Sequence, residues 1–260
     1  MHDLLDDYAH SNALRDTSSR LKLLLGLGAI LLCVTSATPL APLFIAFTMS
    51  LITVRSAKIP GRFYSTLLLV PFSFSLLSAG VVAFMHGGGD PLFAFNAFGI
   101  SLVIREGGAN LALLLIARTF GGMCSLFFIA LTTPMIEIFS VFKSLGLPDF
   151  LVELSMLMYR YIFVFVDQAA VIHSAQVMRM GDAGVKKSLN SFSMLSSVLF
   201  LRSWEQGERL VVAMDSRCYD GKLDLMEPAE GAKPMAIFAV AIYLAAAAAI
   251  AVLTRNVLLL

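Results

Sequence analysis

The sequence predicts an all-α integral membrane protein with about five transmembrane helices, six being the alternative, and a cytoplasmic module of amphipathic helices. Composition is the first reason. Of 260 residues, 58% are hydrophobic and 14% charged, where a soluble domain carries roughly 25% charged residues. Segregation is the second: charge and glycine gather in His173–Gly221, in a chain otherwise made mostly of apolar runs. The third is the clustering of cations in loops that one face of a membrane would share. A net charge of +1 provides no bulk attraction to nucleic acid.

Residues 1–131 read as an N-terminal membrane region of four spans. The polar start carries Asp3, Asp6, Asp7, Arg15 and Arg20. Leu21–Ala37 is a first span and Leu43–Val54 a short second one, separated by Thr38-Pro39-Leu40-Ala41-Pro42. A bilayer core needs roughly 20 helical residues, so both are marginal and a tight hairpin is predicted. Arg55, Lys58 and Arg62 then form a basic loop. With Arg15, Arg20 and Lys22 on the same side, the positive-inside bias places the N-terminus in the cytoplasm. No cleavable leader is expected, because no small-residue cleavage site follows the first apolar run. Phe63–Met85 and Gly107–Leu131 are strong spans. Between them, His86–Pro91 reads as an external turn and Leu92–Ile104 as a short re-entrant or interfacial segment, the candidate for a sixth span.

Residues 132–227 read as the cytoplasmic module. Thr132-Thr133-Pro134 offers a threonine N-cap and a proline at the first helical position, with Glu137 in the first turn. Pro134–Leu145 is then a short amphipathic helix, ended by Gly146 and Pro148. Asp149 is expected to cap a longer helix, about Phe150–Met180. Its Glu153, Arg160 and Asp167 recur every seven residues on one face, which argues for a helix lying along the inner surface, not one that spans. Gly181–Asn190 is a predicted turn carrying Lys186 and Lys187, and Ser191–Arg217 a second long helix. On it, Phe200, Trp204, Gly207, Val211, Met214 and Cys218 form one stripe, and Glu205 and Arg209 an i,i+4 pair. Residues 228–260 form a polar linker and an alanine-rich last span, Met235–Leu253, suited to close helix packing.

Three candidate sites of other kinds are set aside. Gly181-Asp182-Ala183-Gly184-Val185-Lys186-Lys187-Ser188 imitates a phosphate loop, but no strand precedes it and Lys186 stands where its last glycine belongs. Histidines 2, 10, 86 and 173 are scattered, and Cys33, Cys124 and Cys218 lack metal-ligand spacing. Arg118 is different. An arginine well inside a span costs at least about 2.5–3.5 kcal/mol on insertion scales, so it should face protein, contact a partner or a carboxylate, or snorkel to an interface.

The longest informative stretch is Arg202-Ser203-Trp204-Glu205-Gln206-Gly207-Glu208-Arg209, leading to Ala213-Met214-Asp215-Ser216-Arg217-Cys218-Tyr219-Asp220-Gly221. It resembles the CbiQ family, the membrane-spanning T component of energy-coupling factor (ECF) transporters for cobalt or nickel, whose pattern there is R-S-x-x-x-x-E-R followed by A-M-x-x-R-G-[YF]. Thr132-Thr133-Pro134, Leu145-Gly146-Leu147-Pro148, Tyr159-Arg160-Tyr161, and Ala175-Gln176 with Arg179 and Gly181 are similar as well. The resemblance covers nearly the whole chain. It implies a bundle of membrane helices plus crossed cytoplasmic coupling helices, each ending in an Ala-Arg-Gly signature that docks on an ABC-type ATPase. The two arginines carry over to Arg179 and Arg217. Both places depart from the signature: the sequence reads Met178-Arg179-Met180 and Ser216-Arg217-Cys218.

What the resemblance implies is a non-catalytic scaffold in a prokaryotic inner membrane. Its coupling residues are Arg179 and Arg217 with Ala175, Gly181, Ala213, Met214 and Gly221. Trp204, Gly207, Glu205 and Arg209 would pack the coupling helices, with close crossing at Gly207. The implied partners are two CbiO-like ATPases, a CbiM-like substrate-binding subunit and a small CbiN-like subunit. No cofactor is expected on this chain: ATP and Mg²⁺ would sit on the ATPases, and Co²⁺ or Ni²⁺ on the substrate-binding subunit. Alternatives are a T component serving a vitamin and a stand-alone secondary transporter. The second needs a polar midplane site, for which Arg118 is the sole candidate.

Overall fold

The computed structural model describes residues 9, 12, 14, 17–85, 91–97, 100–181, 183–220 and 234–254. These residues are overwhelmingly helical and fall into two compact units, Met1–Ile138 with Pro228–Leu260, and Phe139–Glu227.

The first unit holds α1 (Ser19–Thr35), α2 (Leu40–Leu51), α3 (Gly61–Met85), α4 (Glu106–Thr132) and α8 (Pro234–Leu253). A π-helical turn, Ile52–Ser56, continues α2. Among the described residues, α3, α4 and α8 are long and apolar enough to cross a membrane, and Leu40–Ser56 is a shorter apolar helix. With the 17-residue α1, this makes five apolar helices, the two shortest being the expected hairpin. The sixth candidate is not a helix. Pro91–Ala97 and Ile100–Arg105 are antiparallel strands, β1 and β2, with Ala94 opposite Val103 and Asn96 opposite Ser101. A segment rich in Phe, Ile and Val has high strand propensity and is too short to span as a helix. The turn expected at His86–Pro91 lies mostly outside the described residues.

Helix α4 packs against α1, α2 and α3, and α8 against α1 and α2. Close approach is made possible by small residues. At Gly121 of α4, a Cβ would lie 2.7 Å from both the Cys33 Sγ and the Pro42 carbonyl oxygen. Cys33, Ile45, Met49, Cys124 and Leu131 form a fully buried centre. The outward surface is apolar: Leu69, Val70, Phe74 and Leu77 of α3 are each at least 65% exposed, which suits lipid and not water.

Polar groups inside this bundle meet backbone carbonyls. Lys22 of α1, only 3% exposed, donates from Nζ to the Thr132 carbonyl at 3.1 Å. The Asn12 amide nitrogen lies 3.3 Å from the same oxygen. In return, Arg118 of α4 donates to the Ser36 carbonyl at the end of α1, from Nε at 3.1 Å and from its second guanidinium nitrogen. Each helix thus supplies the cation for the other's carbonyl end, where the helix dipole is negative. Arg118 thus faces protein, as an intramembrane arginine should, and of its expected partners it takes a carbonyl of its own chain and no carboxylate among those described.

The second unit begins within α5 (Met135–Ser144) and contains α6 (Asp149–Met178) and α7 (Val185–Asp215). Pro134, not a threonine, starts α5: its carbonyl accepts from Glu137 and Ile138, whereas Thr132 ends α4 and the buried Thr133 hydroxyl has no partner among the described residues. Asp149 does not cap α6, which starts from Pro148; its carboxylate lies 3.5 Å from Lys143 instead.

Candidate coupling site

Helices α6 and α7 run antiparallel, because they are tied at both ends. At one end Gln176 Nε2 donates to the Ser191 carbonyl at 2.9 Å, and Ser191 Oγ to the Gly181 carbonyl at 3.2 Å. At the other, the Tyr219 hydroxyl donates to Glu153 Oε2 at 2.7 Å. Glu153 is buried whereas Arg160 and Asp167, spaced by seven along the helix, are exposed. A seven-residue step drifts about 20° around a helix, and only Glu153 has Tyr219 against it. The Glu153 carboxylate, by accepting this hydrogen bond, pushes the Tyr219 hydroxyl above its ordinary range.

Arg179 and Arg217 occupy the same local structure at opposite ends of this hairpin. The Arg179 N–H donates to the Gln176 carbonyl, Met180 N–H to Val177, and Gly181 N–H back across five residues to Gln176. Around the second arginine, Arg217 N–H donates to Met214, Cys218 N–H to Asp215, and Tyr219 N–H back to Met214. This is the Schellman pattern, which requires a left-handed residue after the helix. Met180 and Cys218 supply it, with φ of 60° and 57°. Gly146, with φ of 94°, ends α5 in the same way. With helices of 30 and 31 residues and 1.5 Å rise per residue, the arginines lie roughly 40–45 Å apart. Both are exposed, and among the described residues neither has an ion-pair partner.

A model of the cobalt transport protein family CbiQ matches residues 10–227. The chain belongs to this family. A fused cobalt transport protein, CbiMQ, of Methanocorpusculum labreanum is 45% identical over 93% of this chain, which spans 41% of that protein's length. An uncharacterized protein of Methanocaldococcus jannaschii is 38% identical over 93% of this chain and 90% of its own. The energy-coupling factor transporter transmembrane protein EcfT of Clostridium kluyveri is 30% identical over 66% of this chain and 67% of its own. The chain is therefore a multi-pass membrane protein of a transport family.

In this CbiQ-family chain, the departures from Ala-Arg-Gly leave the backbone turn intact, since Met180 and Cys218 adopt the conformation that glycine takes most easily. Ala175 and Ala213 are exposed, Gly181 and Met214 half-buried; Gly221 lies outside the described residues. Gly181 is held tightly, a Cβ there falling 2.7 Å from Ser191 Oγ and 2.9 Å from the Gln176 carbonyl oxygen.

The predicted packing stripe on α7 is corrected. Phe200, Trp204 and Val211 are exposed, and the half-buried positions are Ser191, Leu195, Val198, Leu199, Ser203, Gln206, Leu210 and Met214, of which only Met214 belongs to the stripe. A Cβ at Gly207 meets nothing within 4 Å among the described residues, so Gly207 is not where α6 and α7 touch. Trp204 Nε1 donates to Glu208 at 2.8 Å, and Glu205 pairs with Arg209 at 3.9 Å on an open surface, where such a pair contributes a few tenths of a kcal/mol. Helix α7 also starts earlier than expected, after Gly184 with φ of 102°, which puts Lys186 and Lys187 in its first turn. Sequence reasoning missed Glu153 with Tyr219. The available signal was an acidic residue at the apolar start of α6 and a tyrosine two positions past the second arginine.

Proposed function

We propose that this chain is the T component of an ECF-type importer for cobalt, a scaffold that passes ATPase movement to a metal-binding membrane subunit. One observation carries the reading: the same arginine-bearing turn recurs at both ends of one stiff hairpin. A guanidinium is a rigid fork of five donors that stays charged. Two such groups held roughly 40–45 Å apart suit two separate receivers, and Arg179 and Arg217 are the docking residues. The receivers are two CbiO-like ATPases, which bind ATP and Mg²⁺ and do the hydrolysis. The family description supports cobalt as cargo, and the fused CbiMQ relative supports a CbiM-like neighbour carrying the metal; a CbiN-like subunit belongs to the same assembly. In this reading residues 132–227 are the coupling module, and they face the cytoplasm of a prokaryotic cell with the N-terminus.

The decisive experiment replaces Arg179 and Arg217 together by Glu. The protein should remain in the membrane and lose the ATPase chains that co-purify with it. Retention of those chains in normal amount would overturn the docking role. For orientation, a cysteine replacing Lys186 should react with impermeant reagent only from the cytoplasmic side.

A further inference from the structure

The connection from α2 to α3 carries Arg55, Lys58 and Arg62, and the chain holds no acidic residue between Asp16 and Asp90. All three cations are exposed, and among the described residues none forms an ion pair. Packing brings the two arginines to one place. A Cβ at Gly61 would lie 3.8 Å from Val54 Cγ1, so the π-helical turn bearing Arg55 rests against the start of α3, next to Arg62. Between them Lys58 holds left-handed backbone, with φ of 56°, where glycine would be easier. A cleft of about 370 Å³ opens here, lined by Pro60, Arg62, Phe63, Thr66 and Leu67. The Thr66 hydroxyl is already committed to the Arg62 carbonyl at 2.8 Å. That leaves one guanidinium in an otherwise apolar cleft. One helical face continues from it: Arg62, Thr66, Leu69, Ser73 and Leu76 follow at steps of four and three. Leu69 and Leu76 are 65% and 55% exposed.

We propose that the foot of α3 is a binding site for an anionic phospholipid. Arg62, with Arg55 and Lys58, holds the headgroup phosphate, and an acyl chain lies in the cleft and along the Leu69–Leu76 face. A guanidinium fork pairs with two phosphate oxygens at once, in charge-assisted bonds. The first turn of α3 has no acid, so its positive dipole end adds to the same field. Depth favours a lipid. With 25 residues α3 is roughly 37 Å long, more than the hydrocarbon core of about 30 Å, so Arg62 near its end stands at headgroup level. A free phosphate ion would satisfy the cations and leave the apolar cleft and face uncovered. The site lies wholly within the membrane unit and does not depend on the coupling reading.

The test places the full chain in phosphatidylcholine nanodiscs. A minor component is phosphatidylglycerol with a photoreactive diazirine in one acyl chain, and a parallel disc carries the same group on phosphatidylcholine. After irradiation the phosphatidylglycerol adducts should map to residues 63–77, about fivefold above the neutral lipid, the factor that one cation near an anionic headgroup contributes. Arg62→Gln should lower that adduct by about fivefold, and Arg62→Gln with Arg55→Gln should bring it to the phosphatidylcholine level. Both side chains are exposed, so the thermal midpoint in phosphatidylcholine should not move. Arg62→Lys, which keeps the charge and loses the fork, should fall between wild type and Arg62→Gln, and decides the matter should the glutamine variants misfold. Excess inorganic phosphate should not displace the lipid. Equal labelling by both lipids, adducts spread evenly over the outward faces of α3 and α8, or unchanged labelling in the double variant would overturn the site. Displacement by inorganic phosphate would make it a site for a free anion and overturn the lipid assignment. So would a photoreactive residue at Leu69 that captures a polypeptide instead of lipid in native membranes.

Discussion

The hydroxyl of Tyr219 donates to the carboxylate of Glu153 at 2.7 Å, across 66 positions of sequence. It holds the Arg217 turn against the start of α6, whereas the Arg179 turn is held by the short connection into α7. The two tips are therefore anchored differently. Tyr219→Phe should leave α6 and α7 formed and speed amide hydrogen exchange several-fold at residues 217–219, with little change at 179–181. Equal acceleration at both turns would show that the bond does not act locally. Because the carboxylate raises the folded-state value of the tyrosine, the bond's contribution is complete below the ordinary value of 10.0 and is lost as pH rises through the higher, folded-state value. Alkaline titration of the wild type should reproduce the Tyr219→Phe pattern.

Met180 and Cys218 hold left-handed backbone without being glycine. That conformation costs a residue with a Cβ roughly 1–2 kcal/mol, partly offset because glycine has more chain entropy to lose. Met180→Gly and Cys218→Gly should each stabilise the hairpin by about 0.5–1 kcal/mol, seen as a higher thermal midpoint in detergent. Met180→Val should act in the opposite sense, since a β-branched side chain tolerates positive φ least.

Much of this was legible because bilayer burial and helix periodicity are strong signals. The spans, the hairpin Leu21–Val54 and the separate charged module follow from apolar run length and charge placement. Local signals misled where tertiary contacts decide. The stripe through Phe200 and Trp204 has helical spacing, yet α7 turns a different row toward its neighbour. Lys186 and Lys187 looked like turn residues because glycines stand just before them, but the break closes at Gly184 and α7 begins at Val185. The strands Pro91–Ala97 and Ile100–Arg105 read as a short re-entrant or interfacial segment because apolar content does not distinguish strands from a short helix. The pairing of Tyr219 with Glu153 depends on two helices folding back together, which no local pattern encodes.

Arg118 tests whether an intramembrane charge serves the fold or a partner. Its donors go to the Ser36 carbonyl, in a residue only 2% exposed. Arg118→Leu leaves that buried oxygen without its donor, a loss of about 1–3 kcal/mol. The variant should show a lower thermal midpoint before any effect on transport, and Arg118→Lys, with a charge but no fork, should recover part of it. An unchanged midpoint together with lost assembly would return Arg118 to a partner-binding role.

Gly121 and Gly122 are adjacent on α4 and give a matched pair. A Cβ at Gly121 meets the Pro42 carbonyl oxygen at 2.7 Å, and backbone at a helix contact cannot step aside as a side-chain tip can. A Cβ at Gly122 meets nothing within 4 Å. Gly121→Ala should therefore separate α4 from the α1–α2 hairpin and destabilise the bundle by about 1–3 kcal/mol, as overpacking does. Gly122→Ala should be neutral or stabilise the helix by up to about 1 kcal/mol. Thermal unfolding of the two variants in one detergent compares them directly. Equal midpoints would mean that α4 and the α1–α2 hairpin are not in the close contact seen at Gly121, and the caps at Thr132 and Ser36 would then lose the geometry that makes them possible.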